Sequence, residues 1–141
     1  MSEFKLSGGC QCGAVRYELR GPAHEVNHCH CSICRRLHGA MFASFAMLPP
    51  GDFVLLQGAD AITCYNSSPT GRRFFCSRCG SQIYSDVDEL PDIRFVSVGT
   101  LDAGAHPGHA PGTEHHIYVG SKMPWWKITD GLPQYEEYKK G

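Results

Sequence analysis

Apolar residues in this chain occur in short runs, several of which alternate with polar residues as half-buried strands do. Residues 14–19 alternate, whereas residues 41–48 are almost continuously apolar and end at two prolines. Further strand-like runs lie at residues 52–57, 62–65, 82–84, 93–98 and 115–119. No segment has the length or the period of a long amphipathic helix. The pattern therefore predicts a mainly β, antiparallel fold of roughly seven or eight short strands.

Size and charge limit the functional classes. The chain has 141 residues, which predicts a single domain over residues 1–141. Its formal net charge of −1 gives no positive field that would attract nucleic acid or an anionic membrane. No apolar run could span a bilayer, and the first residues lack the apolar region of a signal peptide. We therefore expect a cytoplasmic protein without nucleic-acid or membrane partners, and a solvated basic pair at Lys139-Lys140.

Seven of the eight cysteines fall in three tight clusters with the spacings C-x-C, C-x-C-x-x-C and C-x-x-C. Neighbouring cysteines are poorly placed to form disulfides with each other, because a disulfide needs a restricted Cα and Cβ geometry. Short cysteine spacings in a chain without a leader are typical of zinc loops. The clusters therefore predict metal binding. Their members are Cys10 and Cys12, then Cys29, Cys31 and Cys34, then Cys76 and Cys79.

The sequence allows two divisions of these cysteines. Gly13 and Gly80 each follow the last thiol of a cluster, which is typical of the turns around structural zinc and favours joining the first and third clusters. The middle cluster then has three sulfurs and an open fourth position, as a catalytic zinc does. The alternative joins Cys31 and Cys34 to the 76–79 cluster as a zinc ribbon and leaves three cysteines without a partner.

Five motifs occur in order along almost the whole chain: G-G-C-Q-C-G-A-V-R-Y (8–17), C-H-C-S-I-C-R (29–35), S-S-P-T (67–70), F-C-S-R-C-G-S (75–81) and H-I-Y-V-G-S-K-x-P-W (116–125). Together they resemble the glutathione-dependent formaldehyde-activating enzyme family, which includes domains similar to centromere protein V. The resemblance implies a tent-like β fold stapled by zinc, similar to methionine sulfoxide reductase B.

The resemblance also implies two zinc ions and an activity. The structural zinc would be held by Cys10, Cys12, Cys76 and Cys79, and the second zinc by Cys29, Cys31 and Cys34. The implied reaction is condensation of formaldehyde with glutathione to S-(hydroxymethyl)glutathione, which in reverse is a carbon–sulfur lyase reaction. Metal coordination lowers the pKa of a thiol, so the second zinc would activate glutathione. Arg35, directly after the metal loop, is a candidate to bind a glutathione carboxylate, and Arg72-Arg73 lie beside another cluster.

Two other functions remain open from the sequence. One is a zinc-stapled binding module like the centromere protein V branch, in which the second zinc has no catalytic role. The other is a redox enzyme similar to methionine sulfoxide reductase, for which Cys64 is the available free thiol. Cys64 stands alone in a strand, and we expect it to be a small buried side chain.

The histidines and tryptophans give weaker expectations. His28 and His30 flank metal ligands and are predicted to point away from the metal. His106 and His109 lie in the Gly/Pro-rich segment 102–113 and are predicted to be solvated. Of His115-His116, one is expected to face the core and the other solvent. Trp125-Trp126 either wall a pocket or cap the core.

Overall fold

The computed structural model describes residues 4–138, so Lys139-Lys140 lie outside the described residues. Within the described part, the chain forms ten strands and one α-helix, joined by loops and short 3-10 turns. The helix is α1 (Ser32–His38). The strands are β1 (Leu6–Gly9), β2 (Arg16–Leu19), β3 (Glu25–Cys29), β4 (Ala43–Leu48), β5 (Phe53–Gln57), β6 (Ile62–Asn66), β7 (Gly71–Cys76), β8 (Gln82–Val87), β9 (Arg94–Ser97) and β10 (Glu114–Ile117).

These strands form two sheets. The smaller sheet has the order β1-β2-β5, and the larger has the order β10-β3-β4-β9-β8-β7-β6. Neighbouring strands are antiparallel throughout, except that β10 runs parallel to β3. The mainly antiparallel β fold predicted from the sequence is therefore confirmed.

Strand β4 is buried on both faces. Ala46 and Leu48 pack with Tyr17 of the smaller sheet in one hydrophobic cluster. Phe45 and Met47 point to the opposite face and belong to a second cluster, which also contains two of the middle cysteines. Because side chains alternate between the faces of a strand, a strand buried on both sides must be apolar throughout. This explains why residues 41–48 are almost continuously apolar.

Helix α1 is short, which agrees with the absence of a long amphipathic pattern in the sequence. It begins at Ser32, inside the middle cysteine cluster, because Cys31 caps it: the Cys31 sulfur accepts a hydrogen bond from the Cys34 N–H at 3.3 Å. It ends at Gly39, whose left-handed backbone lets its N–H donate to the Arg35 carbonyl. The described residues contain no helix long and apolar enough to cross a membrane.

Candidate metal centres

The segments 10–13 and 76–80 each fold into a tight turn that ends in a glycine. In each, the glycine after the last cysteine has a left-handed backbone, with φ of +83° at Gly13 and +80° at Gly80. Each glycine N–H donates to the carbonyl of the first cysteine of its own segment, at 3.1 Å and 2.7 Å respectively. A residue with a Cβ is strained in this conformation, so the glycines allow the backbone to wrap around the sulfurs.

These two turns bring four sulfur atoms within 4.8 Å of one another. Cys12 Sγ lies 3.6 Å from Cys10 Sγ and 3.8 Å from Cys76 Sγ. A tetrahedral zinc with Zn–S bonds of about 2.3 Å requires sulfur–sulfur distances of about 3.8 Å. The four sulfurs, including that of Cys79, thus fit a closed four-coordinate metal site that would join the turn after β1 to the end of β7.

The middle cluster is assembled where β3 meets α1. Cys29 ends the strand, Cys31 caps the helix and Cys34 lies in its first turn. Their sulfurs also lie within 4.8 Å of one another, and among the described residues no fourth His, Cys, Asp or Glu side chain joins the group. The cluster could therefore hold a metal with three protein ligands and one position left for water or substrate. Cys31 and Cys34 do not group with the 76–79 cysteines, so the ribbon alternative does not match the structure.

The thiols of the middle cluster contact one another, and these contacts shift the pKa values of Cys29 and Cys31 in opposite directions. Hydrogen bonds from Cys29 and Cys34 lower the pKa of the Cys31 thiol. The same contact with Cys31 raises the pKa of the Cys29 thiol, and burial adds to this effect. At least one sulfur is thus held readily as thiolate, which is the form that binds a metal.

A cavity of about 520 Å³ opens beside the middle cluster. All three of its cysteines line the cavity, together with apolar side chains such as Phe45 and Phe95. The polar part of the lining includes Asn27, Arg73 and Glu89. None of the cysteines of the four-sulfur cluster lines it. The cavity volume lies within the range of about 300–1,000 Å³ that is usual for small-molecule sites.

Arg73 is the arginine that faces this cavity. Its Nη1 lies 3.4 Å from Cys34 Sγ, and its Nε donates to Ser67 Oγ at 3.1 Å. The sequence candidate Arg35 instead donates from Nε to the His30 carbonyl at 3.3 Å and does not line the cavity. Consecutive residues of a helix point about 100° apart, so with Cys34 turned to the cavity Arg35 is turned away from it. Arg72 and Arg73 are adjacent on β7, and strand alternation turns their side chains to opposite faces.

Behind the middle cluster runs a chain of hydrogen bonds that begins at the buried His30 and ends at the exposed Asp130. His30 Nε2 lies 2.8 Å from His116 Nδ1, and His116 Nε2 lies 2.8 Å from Asp130 Oδ2. An ionised carboxylate only accepts, so His116 donates from Nε2 to Asp130. Burial, with repulsion from His116 adding to it, lowers the pKa of His30 to about 4. These hydrogen bonds hold His30, which lies between Cys29 and Cys31, against β10.

Both His115 and His116 are buried, at 3% and 0% exposure, so the expectation that one faces solvent was wrong. The reason is that β10 has a partner on each edge and side chains of these partners cover both of its faces, with His28 against His116 and Tyr135 against His115. On one side it pairs with β3, and on the other the C-terminal segment bonds to it through the Tyr135 N–H and the His116 carbonyl. The Tyr135 ring also packs edge-on against the His115 ring.

His109 also differs from its prediction. Its side chain is only 9% exposed, and its Nε2 lies 3.1 Å from Glu114 Oε1. The His106 ring, which is exposed as expected, stacks on it with centroids 4.5 Å apart. The other Glu114 oxygen lies 2.7 Å from His28 Nε2, so His28 is directed to this carboxylate.

Cys64 is exposed, and its prediction as a buried side chain was wrong. It lies on β6, the last strand of the larger sheet, where most side chains are open to solvent.

Trp125 is 73% exposed and Trp126 packs beside the His30 ring, with centroids 6.3 Å apart. Neither tryptophan lines the cavity beside the middle cluster.

The chain is similar to a known protein family, to named proteins and to solved structures. The family described as glutathione-dependent formaldehyde-activating enzyme matches residues 5–121. A protein from Halomonas elongata, provisionally named a glutathione-dependent formaldehyde-activating enzyme, is 28% identical over 129 residues, covering 87% of this chain and 80% of that protein. A crystal structure of a Rhodobacter sphaeroides protein, a Northeast Structural Genomics target, is similar with a TM-score of 0.60 and 30% identity, over 70% of this chain and 89% of that one.

Proposed function

The chain belongs to the glutathione-dependent formaldehyde-activating enzyme family, and we propose that it adds the thiol of glutathione to formaldehyde. In this addition a carbon–sulfur bond forms and the carbonyl π bond breaks. The thiol proton ends on the former carbonyl oxygen, which gives S-(hydroxymethyl)glutathione. The reverse reaction is that of a carbon–sulfur lyase.

The observation that carries this proposal is the position of the middle cluster. Its three sulfurs line a cavity of small-molecule size, whereas the four sulfurs of the other cluster do not. We propose that each cluster holds one zinc ion, structural at the four-sulfur site and catalytic at the three-sulfur site. A zinc ion there would lower the pKa of a substrate thiol and so supply the nucleophile.

The side chains around the cavity supply binding contacts for glutathione, which carries two carboxylates and one ammonium group. Arg73 offers a cationic fork suited to a carboxylate. Glu89, whose Oε2 accepts from Thr70 Oγ1 at 3.1 Å, lines the same cavity and suits the ammonium group. The apolar walls exclude water from the reacting atoms. In this proposal Arg73 takes the carboxylate role that the sequence assigned to Arg35.

The test compares two neighbouring arginines. Arg73→Met should weaken glutathione binding about tenfold or more, because it removes a charge-assisted hydrogen bond. Arg72→Met is the matched control: Arg72 pairs with Asp88 at 2.7 Å and does not line the cavity. Glutathione affinity is measured by calorimetry, adduct formation by the rate of formaldehyde consumption, and zinc content by elemental analysis on each variant.

Three outcomes separate the alternatives. Wild-type protein that binds glutathione and accelerates formaldehyde consumption, with only Arg73→Met impaired, supports the proposal. Binding of glutathione without acceleration would favour the binding module. A wild-type protein that neither binds glutathione nor accelerates the reaction would refute the proposal.

A further inference from the structure

One fully buried polar side chain in the cavity has an unused hydrogen-bonding atom. Asn27 is 0% exposed and lines the cavity beside the middle cluster. Its Oδ1 has no hydrogen-bond partner among the described residues. Its Nδ2 lies 3.4 Å from Met47 Sδ, and a thioether sulfur is only a weak acceptor. A buried polar atom without a partner destabilises the folded state, so the amide is unfavourable for the free protein.

The register of the sheet places this amide on the same face as the middle cluster. Asn27 lies two residues before Cys29 on β3, so both side chains point to one face, about 7 Å apart along the strand. Phe45, directly opposite Asn27 on β4, lines the same cavity. A small group attached to a sulfur bound at the cluster would therefore lie within reach of the amide.

We infer that Asn27 is a specificity-determining residue for the adduct: its Oδ1 accepts a hydrogen bond from the hydroxyl group of S-(hydroxymethyl)glutathione. This inference rests on the proposed function and adds a residue and a ligand atom to it. The site then binds the hydroxylated adduct more tightly than an adduct without the hydroxyl group, because only the first pairs the buried acceptor. The unpaired atom in the free protein gains its partner when the adduct is bound.

The first experiment uses wild-type protein with zinc bound and needs no variant. Affinities are measured for S-methylglutathione and for S-(hydroxymethyl)glutathione, formed by equilibrating glutathione with formaldehyde. Both ligands are thioethers of similar size, and they differ by one hydroxyl group. We expect about tenfold tighter binding of the hydroxylated ligand. Equal affinity for the two ligands would overturn the inference.

The second experiment replaces the amide by an apolar side chain of similar size, Asn27→Leu. The affinity ratio of the two ligands should fall from about tenfold to about onefold, while the zinc content stays that of wild type. The melting temperature should stay equal or rise, because the variant removes an unpaired buried polar group. An asparagine with only a structural role would instead lower the melting temperature and leave the preference intact.

Ser97→Ala is the matched control. Ser97 Oγ is also buried without a partner among the described residues, but Ser97 does not line the cavity beside the middle cluster. It should keep the tenfold preference. If wild-type protein binds glutathione and catalyses the addition but Asn27→Leu keeps the preference, only the role of Asn27 is refuted. If wild-type protein binds none of these ligands, the proposed function fails and this inference fails with it.

Discussion

Replacing one ligand of the four-sulfur cluster tests whether that cluster holds the fold together. Cys79→Ser changes an exposed side chain in the turn after β7 and removes one sulfur from the group. If the cluster binds a structural zinc, the free energy of metal binding is also free energy of folding. The substitution should therefore destabilise the whole domain although Cys79 itself contributes little to the core.

The expected magnitude depends on the loop that the cluster closes. Cys12 and Cys76, whose sulfurs are 3.8 Å apart, are separated by 64 residues. A cross-link closing a loop of this length stabilises the folded state by about 4 kcal/mol through the entropy of the unfolded chain. A domain of this size loses about 10 °C or more in melting temperature for such a change. This value counts only the entropy of the unfolded chain and omits the metal–sulfur bonds themselves.

The assay is thermal unfolding monitored by circular dichroism, with zinc content measured on the same samples. Cys79→Ser should melt about 10 °C or more below wild type and lose about one zinc equivalent. Cys64→Ser is the matched control, because Cys64 is an exposed thiol outside both clusters, and it should melt like wild type. A Cys79→Ser protein with unchanged zinc content and an unchanged melting temperature would refute the structural role.

Three further predictions concern the second metal, a buried phenol and a close backbone contact. Cys34→Ala should abolish the zinc equivalent that a mild chelator removes from wild type, yet leave the β circular dichroism intact; unfolding of this variant would make the middle cluster structural. Burial raises the pKa of Tyr17 to about 12. Between about pH 10 and 12 only the unfolded chain therefore loses this proton, and the free energy of unfolding falls by up to roughly 2–3 kcal/mol as the pH rises. The free energy of unfolding of Tyr17→Phe, measured with urea, should lack this pH dependence. A Cβ at Gly8 would lie 2.4 Å from the Tyr17 ring and 2.7 Å from the Thr100 carbonyl oxygen, so Gly8→Ala should lower the free energy of unfolding by about 1–3 kcal/mol. Gly51→Ala, with open space around its Cβ, should not lower it. Equal free energies of unfolding for the two variants would contradict the clash.

Local rules of backbone and side-chain chemistry made several features predictable from the sequence. The alternating and continuous apolar runs predicted the β class, because side-chain period and burial are properties of neighbouring residues. The glycine after each outer cysteine cluster predicted the turns at Gly13 and Gly80, because a left-handed backbone is a requirement of a single position. The short cysteine spacings predicted that metal-binding groups would form.

Contacts between distant segments decided the features that the sequence did not predict. The sequence left open how the cysteines divide, and the fold groups them as four and three because the turn after β1 meets the end of β7. The burial of His115 and the exposure of Cys64 depend on which strand edges are covered, which spacing does not encode. Asn27 carries no signal in the sequence, because a polar residue in a half-apolar strand predicts an exposed position. Only the packing of β3 between β4 and β10, under the cavity, buries its amide. Arg73, and not Arg35, lines the cavity, which the sequence also could not predict. The direction of a long side chain depends on the element that carries it and on where that element lies in the fold.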